Sequence, residues 1–176
     1  MHTESPLIGH WRAGISLCAL AATLAGLPQR AATQPLTAVS MSAPELAQLE
    51  AINAYRQANG RAAWSPDPGL AAVARAHSQA MAQHGRFSHT GFKRRAEATG
   101  SALCVENLLH GTAAPRRAVL LWTASDLHRS NLLEPGAHYA GIGMAGTYVT
   151  LLACATPTPA SAVAQPGLSQ RDAGPP

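Results

Sequence analysis

Residues 85–111 read GRFSHTGFKRRAEATGSALCVENLLHG, a glycine-punctuated crossing between a helical pattern and a strand pattern. In a chain with only 12% charged residues, this stretch gathers His89, Cys104, Glu106, Asn107 and His110. Before it, WSPDPGLAAVARAHSQAMAQH (64–84) carries helix signals at both ends: Asp67 as N-cap, Pro68 at the first helical position, and Gly85 just past the last. Leu70, Val73, Ala74, His77, Met81 and His84 fall on one stripe, where a histidine usually braces its neighbours. After the crossing, CVENLLH reads as a strand or extended segment turning at Gly111. Arg86, Lys93, Arg94 and Arg95, with Phe87 and Phe92 among them, read as a solvated loop; attraction to phosphate or anionic lipid is the other reading.

Further out, Ser42 and Glu45 have capping-box spacing with Pro44 in the first turn, and Leu46, Leu49, Ile52 and Tyr55 mark an apolar face that Gly60 ends. A third helix is expected from Pro115 to about Ser125, with Ala118, Val119 and Trp122 inward, resuming through HRSNLL to Leu133. HYAGIGMAGTYVTLLACA (138–155) reads as a hairpin of strands Tyr139–Met144 and Thr147–Cys154 joined at Ala145–Gly146. Helices on both sides of a small antiparallel sheet imply an α+β, three-layer α-β-α sandwich.

The chain ends bound the rest. With 176 residues, one domain plus tails is expected. Residues 1–32 have the pattern of a signal peptide, with Arg12 before an apolar run from Ala13 to Leu27 and small residues at Ala31 and Ala32. That run is shorter than the roughly 20 residues of a spanning helix, so no stable membrane span is expected and the product is secreted or periplasmic. Residues 33–42 read as linker, 43–154 as the folded domain, and 155–176, rich in Pro, Ala and Ser, as a disordered tail. Losing Cys18 with the signal leaves Cys104 and Cys154, which pair as a disulfide in an oxidising compartment; the alternative is a free Cys104 nucleophile served by a histidine. A formal charge of +4 without a basic stripe does not mark a nucleic-acid binder.

The order NAYRQANGRAAWSPDPGLAAVARAHSQAMAQHGRFSHTG, VENLLHG, LLWTASDLHRSNLLEP and HYAGIGMA resembles the CAP superfamily of cysteine-rich secretory, antigen 5 and pathogenesis-related proteins, and is most similar to its short bacterial secreted type. The resemblance implies an α-β-α sandwich and a cleft centred on two histidines and acidic residues. Matched by motif, these are His89 of FSHTG, His128 of DLHRSN and Glu106 of VENLL. Eukaryotic members place a second glutamate three residues after the helix tryptophan, and here Ser125 stands at that cleft position.

Two neutral imidazoles, His89 and His128, can bind Zn²⁺ or another divalent cation weakly, with Glu106 ligating directly or orienting a ring. The plain alternative is a hydrogen-bonded cluster that only orders loops. His110, His138, Asn107 and Asn131 read as surface or structural, and a Ser125–Asp126–His128 relay is excluded because the residues are too close along one segment. Three functions remain distinct: a non-enzymatic binding module for a small hydrophobic or peptide ligand, a metal-assisted hydrolase with Glu106 as base, and a structural envelope protein with a vestigial cleft.

Overall fold

The computed structural model describes residues 40–111 and 114–159, so the expected signal peptide, most of the linker and the expected tail beyond residue 159 lie outside the described residues. The chain forms α1 (Ala43–Ala58), β1 (Ser65–Pro66), α2 (Pro68–His84), α3 (Phe92–Ala98), β2 (Cys104–His110), α4 (Pro115–Thr123), α5 (Asp126–Leu132), β3 (Tyr139–Ala145) and β4 (Tyr148–Cys154). The cap signals act as read. Glu45 accepts from the Ser42 N–H at 2.8 Å, and Asp67 accepts from the Leu70 N–H at 2.8 Å. Gly85 adopts φ 61° and closes α2 by donating to the Met81 carbonyl.

The sheet order is β1-β3-β4-β2. β2, β4 and β3 pair antiparallel, but β1 runs parallel to β3, so the sheet is mixed rather than purely antiparallel. Two residues carry no periodicity to reveal such a strand. Their ladder is made by the Ser65 and Asp67 N–H groups, which donate to His138 and Ala140 across Pro66, itself without an N–H.

On one face, α2 lies directly on β3 and β4, burying Leu70, Val73 and Ala74 against Leu152 and Cys154. The approach is close because β3 presents Gly141 and Gly143 there: a β-carbon at Gly141 would sit 2.0 Å from the Ala71 backbone nitrogen, and one at Gly143 1.9 Å from that of Arg75. On the other face, Leu49 and Ile52 of α1 and Val119 and Trp122 of α4 pack with Ile142 and Leu151. Helix, sheet and helix therefore stack in three layers.

Arg56 crosses this second layer, stacked 4.0 Å over Trp64 and donating to the carbonyls of Ala62, Leu132 and Glu134. Burial, with Arg61 nearby, brings its pKa down to about 10, so it stays charged at neutral pH. Its hydrogen bonds to Leu132 and Glu134 tie the end of α5 to α1.

Cys104 and Cys154 stand directly opposite on β2 and β4, Cα atoms 4.1 Å apart, and form the expected disulfide. The hairpin turns at Gly146–Thr147, one residue later than the sequence suggested, with Gly146 at φ 56°. Contacts are also made by residues just outside 43–154. Met41 is buried in the core, and the N–H groups of Ala155, Thr156 and Thr158 donate to Leu103, Ser101 and Asp67.

Candidate functional site

β2 is an edge strand, and its alternation organises the site. Glu106 lies opposite Leu152, on the face covered by α2; the next residue, Asn107, lies opposite Leu151, on the face toward α4 and α5. One dipeptide therefore sends a carboxylate to one side of the strand and an amide to the other.

The carboxylate is buried, its side chain 1% exposed. His89, in the loop between α2 and α3, meets Glu106 Oε1 through Nδ1 at 2.9 Å. Arg95 of α3 donates through Nε to Oε2 at 3.0 Å and through Nη2 to both oxygens at 2.9 and 2.8 Å. Both oxygens are thus engaged, by the hydrogens of His89 Nδ1 and Arg95 Nε and by an Arg95 Nη2 hydrogen shared between them, on a carboxylate closed off from solvent. Arg95 supplies only donors, so the carboxylate acts as acceptor throughout and the His89 Nδ1–H must donate to it. That leaves Nε2 of a half-exposed ring available. Arg95 also donates to the Thr90 carbonyl at 2.8 Å, fixing the residue next to His89.

The reading of Arg86, Lys93, Arg94 and Arg95 as a solvated loop is therefore corrected in part: Arg86, Lys93 and Arg94 are exposed, and Arg95 is not. Residues 92–98 form a helix, and Arg95, 3% exposed in its side chain, is the buried partner of Glu106. The available signal was the three-residue spacing of Phe92 and Arg95, which puts them on one helical face. Phe92 packs on the α2 core cluster while Lys93 and Glu97 pair outside.

On the other side of the strand, Asn107 Nδ2 donates to the His128 carbonyl at 2.9 Å. Asn131 Nδ2 donates to the Glu106 carbonyl at 3.1 Å and to Asn107 Oδ1 at 2.9 Å. Trp122 Nε1 donates to the Leu108 carbonyl at 2.8 Å. Side chains thus cover the carbonyls of an otherwise open sheet edge and hold α5 against it. The result is that the His89 and His128 rings face each other at 6.5 Å between centroids, tilted by 33°.

Ser125, matched to the cleft's fourth position, is the N-cap of α5, its hydroxyl 3.5 Å from the His128 backbone nitrogen. Asp126 is exposed and paired with Arg129 at 2.6 Å, so no relay forms. His77 is buried with Nε2 at 2.9 Å from the Ser88 carbonyl, in the bracing role expected. His84, read onto the same stripe, is exposed, as is His138. His110 stacks on Tyr148 at 4.4 Å and lies 6.0 Å from the Phe87 ring.

For a metal, this donor set offers two imidazoles and no free carboxylate. Among the described residues no group of three or more His, Cys, Asp or Glu side chains could hold an ion. The residues fit an ion held through two nitrogens and otherwise by water, with Glu106 orienting a ligand; they do not fit a closed metal centre.

Burial, and secondarily the neighbouring His89, holds the pKa of His128 below its ordinary 6.5. The unfolded chain therefore takes up this proton before the folded one does. The contribution to stability is constant above 6.5 and is lost as pH falls from there through the folded value. Urea-unfolding midpoints should fall on acidification from about pH 7.5 to about pH 5, and fall less in a His128→Gln variant. An identical fall in both proteins would assign it elsewhere.

The cysteine-rich secretory protein family model, CAP, matches residues 49–152. The uncharacterized protein YkwD of Bacillus subtilis is 31% identical over 111 residues, covering 59% of this chain and 43% of that protein, so the match spans less than half of the relative. Among solved structures, an extracellular SCP-domain protein of Bacillus anthracis superposes with a TM-score of 0.61 at 23% identity, over 64% of this chain and 40% of that one. A cysteine-rich secretory protein of Staphylococcus aureus gives 0.59 at 17%, over 64% and 38%. An outer surface protein of Borrelia burgdorferi gives 0.55 at 20%, over 60% and 87%. At these identities the three structures bear on the fold alone. From the family match over residues 49–152, with FSHTG, VENLL and DLHRSN brought together through His89, Glu106 and His128, the chain belongs to the cysteine-rich secretory protein (CAP) family.

Proposed function

We propose that this chain is a secreted or periplasmic binding module whose cleft holds a divalent cation weakly between His89 and His128 and takes a small hydrophobic or peptide ligand beside it. The observation that carries the choice of binding over hydrolysis is the state of Glu106. A hydrolytic base must meet water, whereas the Glu106 carboxylate is 1% exposed and both its oxygens are engaged by Arg95 and His89. Its role here is to position a ring. The disulfide supports an oxidising compartment, and the solved relatives, an extracellular, a secretory and an outer surface protein, point the same way.

His89 through Nε2 and His128 through a ring nitrogen would hold the ion. A zinc-like ion bound there would supply an open coordination position for a carboxylate or carbonyl of a ligand. With only two protein donors, affinity should be modest and should fall as the imidazoles protonate.

Calorimetric titration with Zn²⁺ at about pH 7.5 should give saturable binding of about one ion per chain, absent from a His89→Ala/His128→Ala double variant that keeps its circular dichroism. Equal binding by both proteins would place the ion on other histidines, and none by either would remove the metal from the proposal.

A further inference from the structure

The outward face of α4 departs from what a solvated helix should show. Ala118, Val119 and Trp122 point into the core, and the opposite side carries Arg116 and Arg117 followed one turn later by Leu120 and Leu121. These leucines are 60% and 42% exposed, and Leu127 in the first turn of α5 is 68% exposed. Among the described residues only Leu46 and Phe87 are other large hydrophobics exposed to this degree. Three of five thus fall within eight residues, next to two arginines that have no ion-pair partner among the described residues. Within α4 and α5 the one acid, Asp126, is paired with Arg129.

We propose that the α4–α5 face docks on an anionic lipid bilayer, with Arg116 and Arg117 at the headgroups and Leu120, Leu121 and Leu127 in the interface. Charge selects this occupant over a neutral apolar partner: an unopposed arginine pair beside exposed leucines matches a negatively charged surface with an accessible hydrocarbon boundary. The formal charge of +4 adds long-range attraction of the same sign. This surface is separate from the His89–Glu106 contact, which lies on the other side of β2, and does not depend on metal binding.

The test is co-sedimentation of the full chain with phosphatidylcholine vesicles, with and without phosphatidylglycerol, beside an Arg116→Gln/Arg117→Gln variant and a Leu120→Ser/Leu121→Ser/Leu127→Ser variant. Every protein keeps residues 1–39, so any contribution of the apolar run Ala13–Leu27 is common to all three. The expected result is binding to the phosphatidylglycerol vesicles that weakens with salt. Loss of the arginines should weaken it by roughly 10- to 30-fold, and loss of the leucines by about tenfold or more, with circular dichroism and melting unchanged. Equal binding by all three proteins, or no preference for phosphatidylglycerol, overturns the proposal. Self-association of the wild type that the leucine variant lacks overturns it too, because a second copy then covers the face.

Discussion

Replacing Arg95 by alanine is expected to lower the unfolding free energy by about 3–5 kcal/mol and the melting temperature by roughly 10–20 °C. The effect is large because the substitution leaves the Glu106 carboxylate, 1% exposed, without the guanidinium that fills three of its four contacts. Total stabilities of such domains are about 5–15 kcal/mol, so this one change removes a substantial part. Joint replacement, Arg95→Met with Glu106→Leu, should recover much of the loss, because the desolvation of both charges disappears along with their attraction. Denaturant unfolding of the three proteins checks this. A loss below about 1 kcal/mol for Arg95→Ala would mean that water reaches the pair, and with it that Glu106 is free for other work.

Gly141→Ala should be at least as damaging, at about 4 kcal/mol or more, and is expected to appear as failure to accumulate folded protein. The added methyl meets backbone on every side: Ala71 nitrogen at 2.0 Å, Leu70 carbonyl carbon at 2.3 Å and the Ala71 α-carbon at 2.6 Å. A flexible side chain could swing aside, but a helix backbone can yield only by moving the whole helix. Lifting α2 from β3 opens the layer that buries Leu70, Val73 and Ala74. Gly143→Ala should behave alike, through the backbone of Ala74 and Arg75. A melting temperature within about 2 °C of wild type for either variant would contradict the close approach.

What could be read from the sequence divides along physical lines. α1 and α2 were legible because their ends carry chemistry that acts locally, namely Ser42 with Glu45, and Asp67, Pro68 and Gly85. The β3–β4 hairpin was legible from its apolar run. In the site, His89, Glu106 and His128 were found by motif, and two of them proved to touch directly. Asn107 and Asn131 do the tying expected of them, but to each other and to backbone across elements.

Arg95 was missed because a buried arginine looks like a solvated one when its partner lies on another element. Nothing between Arg95 and Glu106 announces that α3 folds back over β2. Ser125 was matched to a cleft position by its spacing from Trp122, and its local role as the cap of α5 was not read. β1 escaped because two residues have no pattern. The glycines of GIG were read as strand residues without the helix backbone they accommodate, since a missing side chain signals close approach only when the neighbour is known.

The most direct test of the cleft's organisation is the tautomer of His89, read from long-range ¹H–¹⁵N correlation spectra above about pH 7.5 with a His89→Gln variant for assignment. The expected result is a neutral ring protonated on Nδ1, donating to Glu106, with Nε2 bare and able to take a ligand. A ring protonated on Nε2 would contradict it, since Nδ1 would then be an acceptor facing an ionised carboxylate, which has no hydrogen to donate.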